Sequence, residues 1–175
     1  MSINIRFGLQ NDATALAELA ARTFAETFGA GTSDEDMEIY LAEAYGTSQQ
    51  LREILDPDIT TLLIDSDGEL VGYSMLRSGP VPDCVRGESP LELWRFYIAS
   101  GWHGRGLAQS LMERVEVEAQ RRGGNTLWLG VWEHNLRAKA FYSKCGFTDV
   151  GSHIFVVGAD PQTDRIMVRT LPGDK

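Results

Sequence analysis

The chain is poor in cysteine, in positive charge and in long apolar runs, and each shortage removes a class of protein. Its 175 residues include only two cysteines, Cys84 and Cys145, too few for a disulfide framework and without the paired Cys/His spacing of a zinc site. His134 and His153 lack metal-ligand spacing as well, so no metal is expected. No apolar stretch approaches the ~18 residues of a membrane span, and "MSINIRFGLQ" lacks the basic region and apolar run of a secretory signal. A reducing, cytoplasmic setting is the expectation. Sixteen basic residues against 25 acidic give a net charge of −9 and a pI near 4.8. Such a surface repels nucleic acid and anionic membranes and suits a small cationic partner. There is no internal repeat and no low-complexity tract. Neither GxxxxGK[ST] nor GxGxxG occurs.

What is present is enough for one domain over residues 1–175, since the chain is 43% hydrophobic and long enough to bury a sizeable core. "INIRFG" (3–8) alternates as a strand does. Asn11 and Asp12 offer caps to a helix carrying Leu16, Leu19, Ala20, Thr23 and Phe24 on one face. Ser33 precedes a second helix with Met37, Tyr40, Leu41 and Ala44, and a short helix near 48–55 stops at Asp56-Pro57. "ITTLLI", "SDGE" and "LVGYSMLR" read as a β-hairpin, and the proline-rich 79–90 as a loop. Strands at 91–98 and 126–132, apolar on both faces, flank a helix over about 106–122, so the crossover makes them parallel. A helix at 135–144 and strands near 147–157 and 164–171 complete a mixed α/β sheet with helices on both faces.

Gly101, Gly104 and Gly106 fall between a buried strand and a helix. Glycine permits φ > 0 and removes side chains that would block a ligand. The helix start adds unpaired N–H groups and a dipole that favours negative charge. Two readings stay open on these residues alone: a cradle for phosphate or pyrophosphate, or a tight turn that binds nothing.

"HGRGLA" (103–108) resembles the pyrophosphate loop of the Gcn5-related N-acetyltransferases, patterned Gln/Arg-x-x-Gly-x-Gly/Ala. Gly106 and Ala108 match it, whereas His103 stands where Gln or Arg is usual. "LWLGVWEHNLRAKAFYSKCGFTDVG" (127–151) resembles the strand, helix and strand forming the family's other cofactor wall, and "LWRFYI" (93–98) the strand before the loop. "TFAETFG", "SPLELWRFYI", "LGVWEHN" and "GSHIFVVGADPQTDRIM" further resemble bacterial spermidine/spermine N-acetyltransferases of the PaiA type.

The resemblance implies a GNAT-type fold: a mixed, mostly antiparallel sheet with a central splayed parallel strand pair and helices on both faces. It implies acetyl-CoA as co-substrate, with Phe96, Tyr97 and Ile98 pairing their backbone with the pantetheine amides. The pyrophosphate would rest on His103, Gly104, Arg105, Gly106, Leu107, Ala108 and Gln109, mainly through backbone N–H groups, with Asn135 and Ala138 touching the cofactor. Asn135 read by itself is the N-cap of its helix. Tyr142 matches the family's general acid, which protonates the leaving thiolate; by periodicity it shares a face with Ala138, Phe141 and Cys145, where a core role is the alternative. Glu92 is the sole carboxylate of its strand and a candidate general base, or equally a structural partner of Arg95 or a neighbour. Cys145 reads as packing. The acidic run "SDEDMEIYLAE" (33–43) reads as a solvated helix face; because the family's acceptor pocket is built by the first two helices, the resemblance also makes Glu35, Asp36 and Glu38 candidates to hold a polyamine's distal ammonium groups. The acceptor implied is a small cationic amine, and homodimers are common in the family. A protein N-terminus, a lysine or another small amine as acceptor, and a non-catalytic acyl-CoA-binding regulator, are the rival readings.

Overall fold

The computed structural model describes residues 2–173. Seven strands form a single sheet: β1 (Ile3–Phe7), β2 (Ile59–Ser66), β3 (Glu69–Arg77), β4 (Pro90–Ile98), β5 (Thr126–Trp132), β6 (Thr148–Val157) and β7 (Asp160–Thr170). Their order across the sheet is β1-β2-β3-β4-β5-β7-β6, with every neighbouring pair antiparallel except β4 and β5. Helices α1 (Ala13–Phe28), α2 (Asp34–Ala44) and α3 (Thr47–Leu55) cover one face, and α4 (Leu107–Arg121) and α5 (Leu136–Lys144) the other. The expected mixed sheet with one parallel pair is therefore the observed one.

Local chemistry accounts for most of the boundaries. Asp67 and Gly68 turn β2 into β3 with φ of 51° and 90°, the two left-handed positions of a tight hairpin. Ser33 caps α2, its Oγ accepting from the Asp36 N–H at 3.1 Å, and Asn135 caps α5 by accepting from the Ala138 N–H at 3.1 Å; such caps contribute about 1 kcal/mol each. Asp12 departs from its expected capping role. Its carboxylate takes the Arg6 guanidinium at 2.8 and 2.9 Å and the Leu9 N–H at 2.7 Å, tying β1 to the start of α1. Strand β7 begins before the expected residue 164 because Pro161 lies in an overhang past the last β5 pair, Trp132–Asp164, where a missing N–H costs no ladder bond to β5.

The sheet's central feature is a failure of pairing. Strands β4 and β5 are in register only from Pro90–Thr126 to Glu92–Trp128. At that point β4 carries an extra residue, Trp94, between the β3 partners of Leu93 and Arg95, a bulge that bends the strand. Trp94 is clamped between the guanidinium groups of Arg77 and Arg95, at 3.8 and 3.9 Å from the ring centre. Arg95 is in turn buried against Glu53 of α3 at 2.6 Å. Beyond the bulge the two strands part, leaving facing backbone edges without a ladder partner.

Candidate active site

The parted strands open a cleft of about 830 Å³ that passes through the sheet, with β4 on one side and β5, α5 and β7 on the other. Phe96 faces α5, stacking on Phe141 at 5.7 Å and meeting the Tyr142 ring edge-on at 6.1 Å. Tyr97 faces the other way and stacks on Tyr73 at 5.7 Å. Ile98 ends the strand.

At the mouth of the cleft the glycine stretch has the geometry of a cradle. Gly104 and Gly106 have φ of 76° and 78°, conformations that other residues adopt only under strain, and a Cβ at either position would meet nothing within 4 Å. Gly106 starts α4 with no side-chain cap, and the N–H groups of Leu107, Ala108 and Gln109 carry no backbone partner. A second hollow of about 500 Å³ lies over them, edged by Gly104, Ala108, Arg137 and Lys144. Open space, free donors and two cations at a helix start are the features that a cradle for an anion requires. Arg105 turns away from it, over the Trp102 ring at 4.7 Å.

His103, the departure from the family pattern, spans the cleft. Its Nε2 lies 2.7 Å from the Ile98 carbonyl and its Nδ1 2.5 Å from Arg137 Nη1. Since guanidinium only donates, Nδ1 accepts and Nε2–H donates to the carbonyl. The ring thus uses one of the backbone groups of Ile98 and anchors a guanidinium beside the cradle. The sequence points mainly to backbone contacts there; Arg137, lying 34 residues from His103, carries no signal linking the two.

Tyr142 sits on the α5 wall, 7% exposed, among Phe96, Phe141 and Phe147. Burial holds its phenol well above the usual tyrosine range, so it stays protonated at neutral pH. It lines the cleft while belonging to the core. Cys145, one turn on, is packed in the same core. Glu92 also lines the cleft, with Oε2 accepting from Arg77 Nε at 2.5 Å. Its partner is therefore Arg77 and not Arg95, which belongs to Glu53.

The acidic run of α2 does not reach the cleft. Asp34, Glu35 and Asp36 occupy the helix's first turn, where negative charge suits the dipole. Asp36 accepts from the Ala159 N–H at 2.7 Å and from the Ser33 hydroxyl at 2.7 Å, clasping the β6–β7 turn, and these bonds hold its carboxyl below the usual range. Neither Glu35, Asp36 nor Glu38 lines the cavity; the acids that do are Glu26, Glu92 and Asp164. Asp164 carries no signal in the sequence and His153 reads there only as a histidine without metal-ligand spacing, because only the strand register brings the two together.

A parallel strand pair that splits beside a glycine-built anion cradle, with a buried phenol facing the split, has the architecture of an acyltransferase that draws its acyl group from coenzyme A. The comparisons with known proteins agree. Residues 14–147 match the acetyltransferase (GNAT) family. An uncharacterized N-acetyltransferase of Lactobacillus delbrueckii subsp. lactis is 34% identical over 93% of this chain and 94% of its own. One from Mycobacterium tuberculosis is 35% identical over 91% and 98%. Among solved structures, the PaiA N-acetyltransferase from Thermoplasma acidophilum in complex with coenzyme A superposes with a TM-score of 0.80 at 25% identity, covering 97% of this chain and 99% of that one. The chain belongs to the GNAT family. It is an acetyl-CoA-dependent N-acetyltransferase, moving an acetyl group from acetyl-CoA to an amine. Among the described residues no helix is long and apolar enough to cross a membrane.

Proposed function

We propose that the acceptor is a polyamine of the spermidine or spermine class, and that Tyr142 is the general acid of the transfer. The observation that carries the acceptor is the chamber on the α1–α2 side of the split. Phe24, Phe28, Tyr40, Trp132 and Phe155 pack ring on ring there, with centroid separations of 4.4–6.4 Å. Glu26 and Asp164 line the same cavity. Aromatic faces and carboxylates suit an alkylammonium chain, each cation–π contact contributing about 0.5–2 kcal/mol. The net charge of −9 draws such cations in, and the resemblance of "SPLELWRFYI" and "LGVWEHN" to PaiA-type spermidine/spermine N-acetyltransferases favours the same acceptor.

In this reading the free edges of β4 and β5 take the pantetheine amides along Phe96, Tyr97 and Ile98. The cradle of Gly104, Gly106, Leu107, Ala108 and Gln109 takes the pyrophosphate, with Arg137 supplying the cationic contact that His103 does not. Asn135 and Ala138 flank the arm from α5. The phenol of Tyr142, kept protonated by its apolar surroundings, gives its proton to the departing thiolate. The Arg77 ion pair supports the structural alternative for Glu92: it steadies the bulged strand, and deprotonation of the amine falls to another group.

CoA release measured with matched concentrations of polyamines, amino acids, aminoglycosides and lysine peptides tests this reading. Spermidine or spermine giving the highest kcat/KM is the expected result; a peptide or aminoglycoside ahead of both would refute the acceptor class.

A further inference from the structure

The antiparallel registers of β5, β6 and β7 place His153 and Trp132 on either side of Asp164, on the sheet face that carries α1 and α2. Gly130 completes the group from β5. A Cβ on Gly130 would come within 3.0 Å of Asp164 Oδ2 and 3.1 Å of His153 Cε1. The glycine therefore floors a pit walled by a carboxylate and an imidazole, and all of them line the cleft.

Asp164 is 7% exposed, and its carboxylate makes no ion pair or hydrogen bond among the described residues. Its Oδ1 and the His153 Nδ1 are both buried without a partner. The indole N–H of Trp132, the β5 residue opposite Asp164, donates to Gln162 at 2.9 Å. A bare carboxylate in such a place costs several kcal/mol unless a cation meets it. Burial pushes its carboxyl up to about 7, within reach of proton transfer at neutral pH. The groups facing it are His153 from β6 and Tyr40 from α2, while Glu26 from α1 and Arg95 from β4 line the same cavity, Arg95 already held by Glu53.

The position is as informative as the chemistry. Gly130 stands two residues past Trp128, the last β5 residue paired to β4, so the pit opens at the apex of the split. Tyr142 lines the cleft from the α5 side. The cleft is thus lined by the Tyr142 phenol on one side of the sheet and by Asp164 on the other.

We propose that Asp164, with His153 beside it over Gly130, docks the reacting ammonium of the acceptor and takes its proton. The proposal rests on the amine-acetyltransferase reading above. One N–H bond of the ammonium breaks and the proton passes to Asp164, leaving a lone pair on nitrogen. That nitrogen bonds to the thioester carbon, the C–S bond breaks, and the sulfur takes the Tyr142 proton. The tyrosinate recovers a proton from the acylated nitrogen, and Asp164 releases its own to solvent.

The test compares D164N with the wild type in spermidine acetylation from pH 6 to 9.5, alongside the acetyl-CoA Kd by calorimetry. The expected result is a fall in kcat of about 100-fold or more at pH 7. The limb of declining rate below pH 7 disappears, and Kd stays within about twofold. Wild-type kcat, or an unchanged pH profile with only KM raised, would overturn the assignment. If D164N fails to bind acetyl-CoA, G130A fills the pit while keeping both side chains; it should lower spermidine kcat/KM about tenfold or more with Kd unchanged, and wild-type kinetics would overturn the proposal. Spermidine untouched by the wild type would count against the polyamine class alone. The same comparison, run with the amine that the acceptor panel returns, then decides for or against Asp164.

Discussion

Replacing Asp164 by asparagine should stabilise the protein in a pH-dependent way, and the size follows from its surroundings. The carboxyl ionises near 3.8 when solvated and is pushed up to about 7 in the fold by burial alone. Between those values the folded state holds a proton that the unfolded chain has released, so stability falls as pH rises and the whole penalty is present above pH 7. The roughly 1.5 pH units from 5.5 to 7 carry about 2 kcal/mol. Asparagine keeps the shape and the cost of a buried neutral polar group but has no charge to desolvate. D164N should therefore gain about 2 kcal/mol more over the wild type at pH 8.5 than at pH 5.5. For a chain of this size that is a Tm difference about 4–8 °C larger at the higher pH, read by scanning fluorimetry without ligand. Equal gains at the two pH values, or a loss at pH 8.5, would refute the claim of an unpartnered buried carboxylate.

The remaining expectations concern the cofactor side of the cleft. Tyr142→Phe keeps the ring packing and removes the proton: turnover should fall about 100-fold with the acetyl-CoA Kd unchanged, and equal turnover would remove Tyr142 from the mechanism. Gly106→Val forces a β-branched residue to a φ of 78°, at about 1–2 kcal/mol of strain, and puts methyl groups into the cradle; calorimetry should show weakened cofactor binding, and an unchanged Kd would contradict the cradle. Arg137→Ala removes the guanidinium that His103 holds. Acetyl-CoA should bind about tenfold more weakly, in line with one charge-assisted contact, and the loss should shrink as salt rises; no change would return that contact to the backbone alone.

The features legible in the sequence are those whose cause is local. Gly104 and Gly106 signal a left-handed turn at a helix start, Ser33 and Asn135 announce their caps, and two doubly apolar strands around a helix force a parallel pair. The split itself comes from a bulge at Trp94 clamped by two arginines from different strands, which no spacing in "LELWRFYI" reveals. Acid placement depends on the fold in the same way. The run holding Glu35, Asp36 and Glu38 is legible as a solvated helix face or as a cation site; none of the three lines the cleft, and Asp36 serves the helix start and the β6–β7 turn. Asp164, which faces the cleft, sits in an unremarkable "QTDRIM" and acquires its character only from the register that sets it opposite His153 and Trp132.

The most direct measurement is product analysis by mass spectrometry with acetyl-CoA and spermidine as sole substrates, alongside CoA release in the same reaction. The expected result is monoacetylspermidine and free CoA in equal amounts, with Y142F and D164N each binding acetyl-CoA but forming little of either. Tight acetyl-CoA binding with no acetylated amine from any acceptor offered would contradict the assignment of this cleft to amine acetylation.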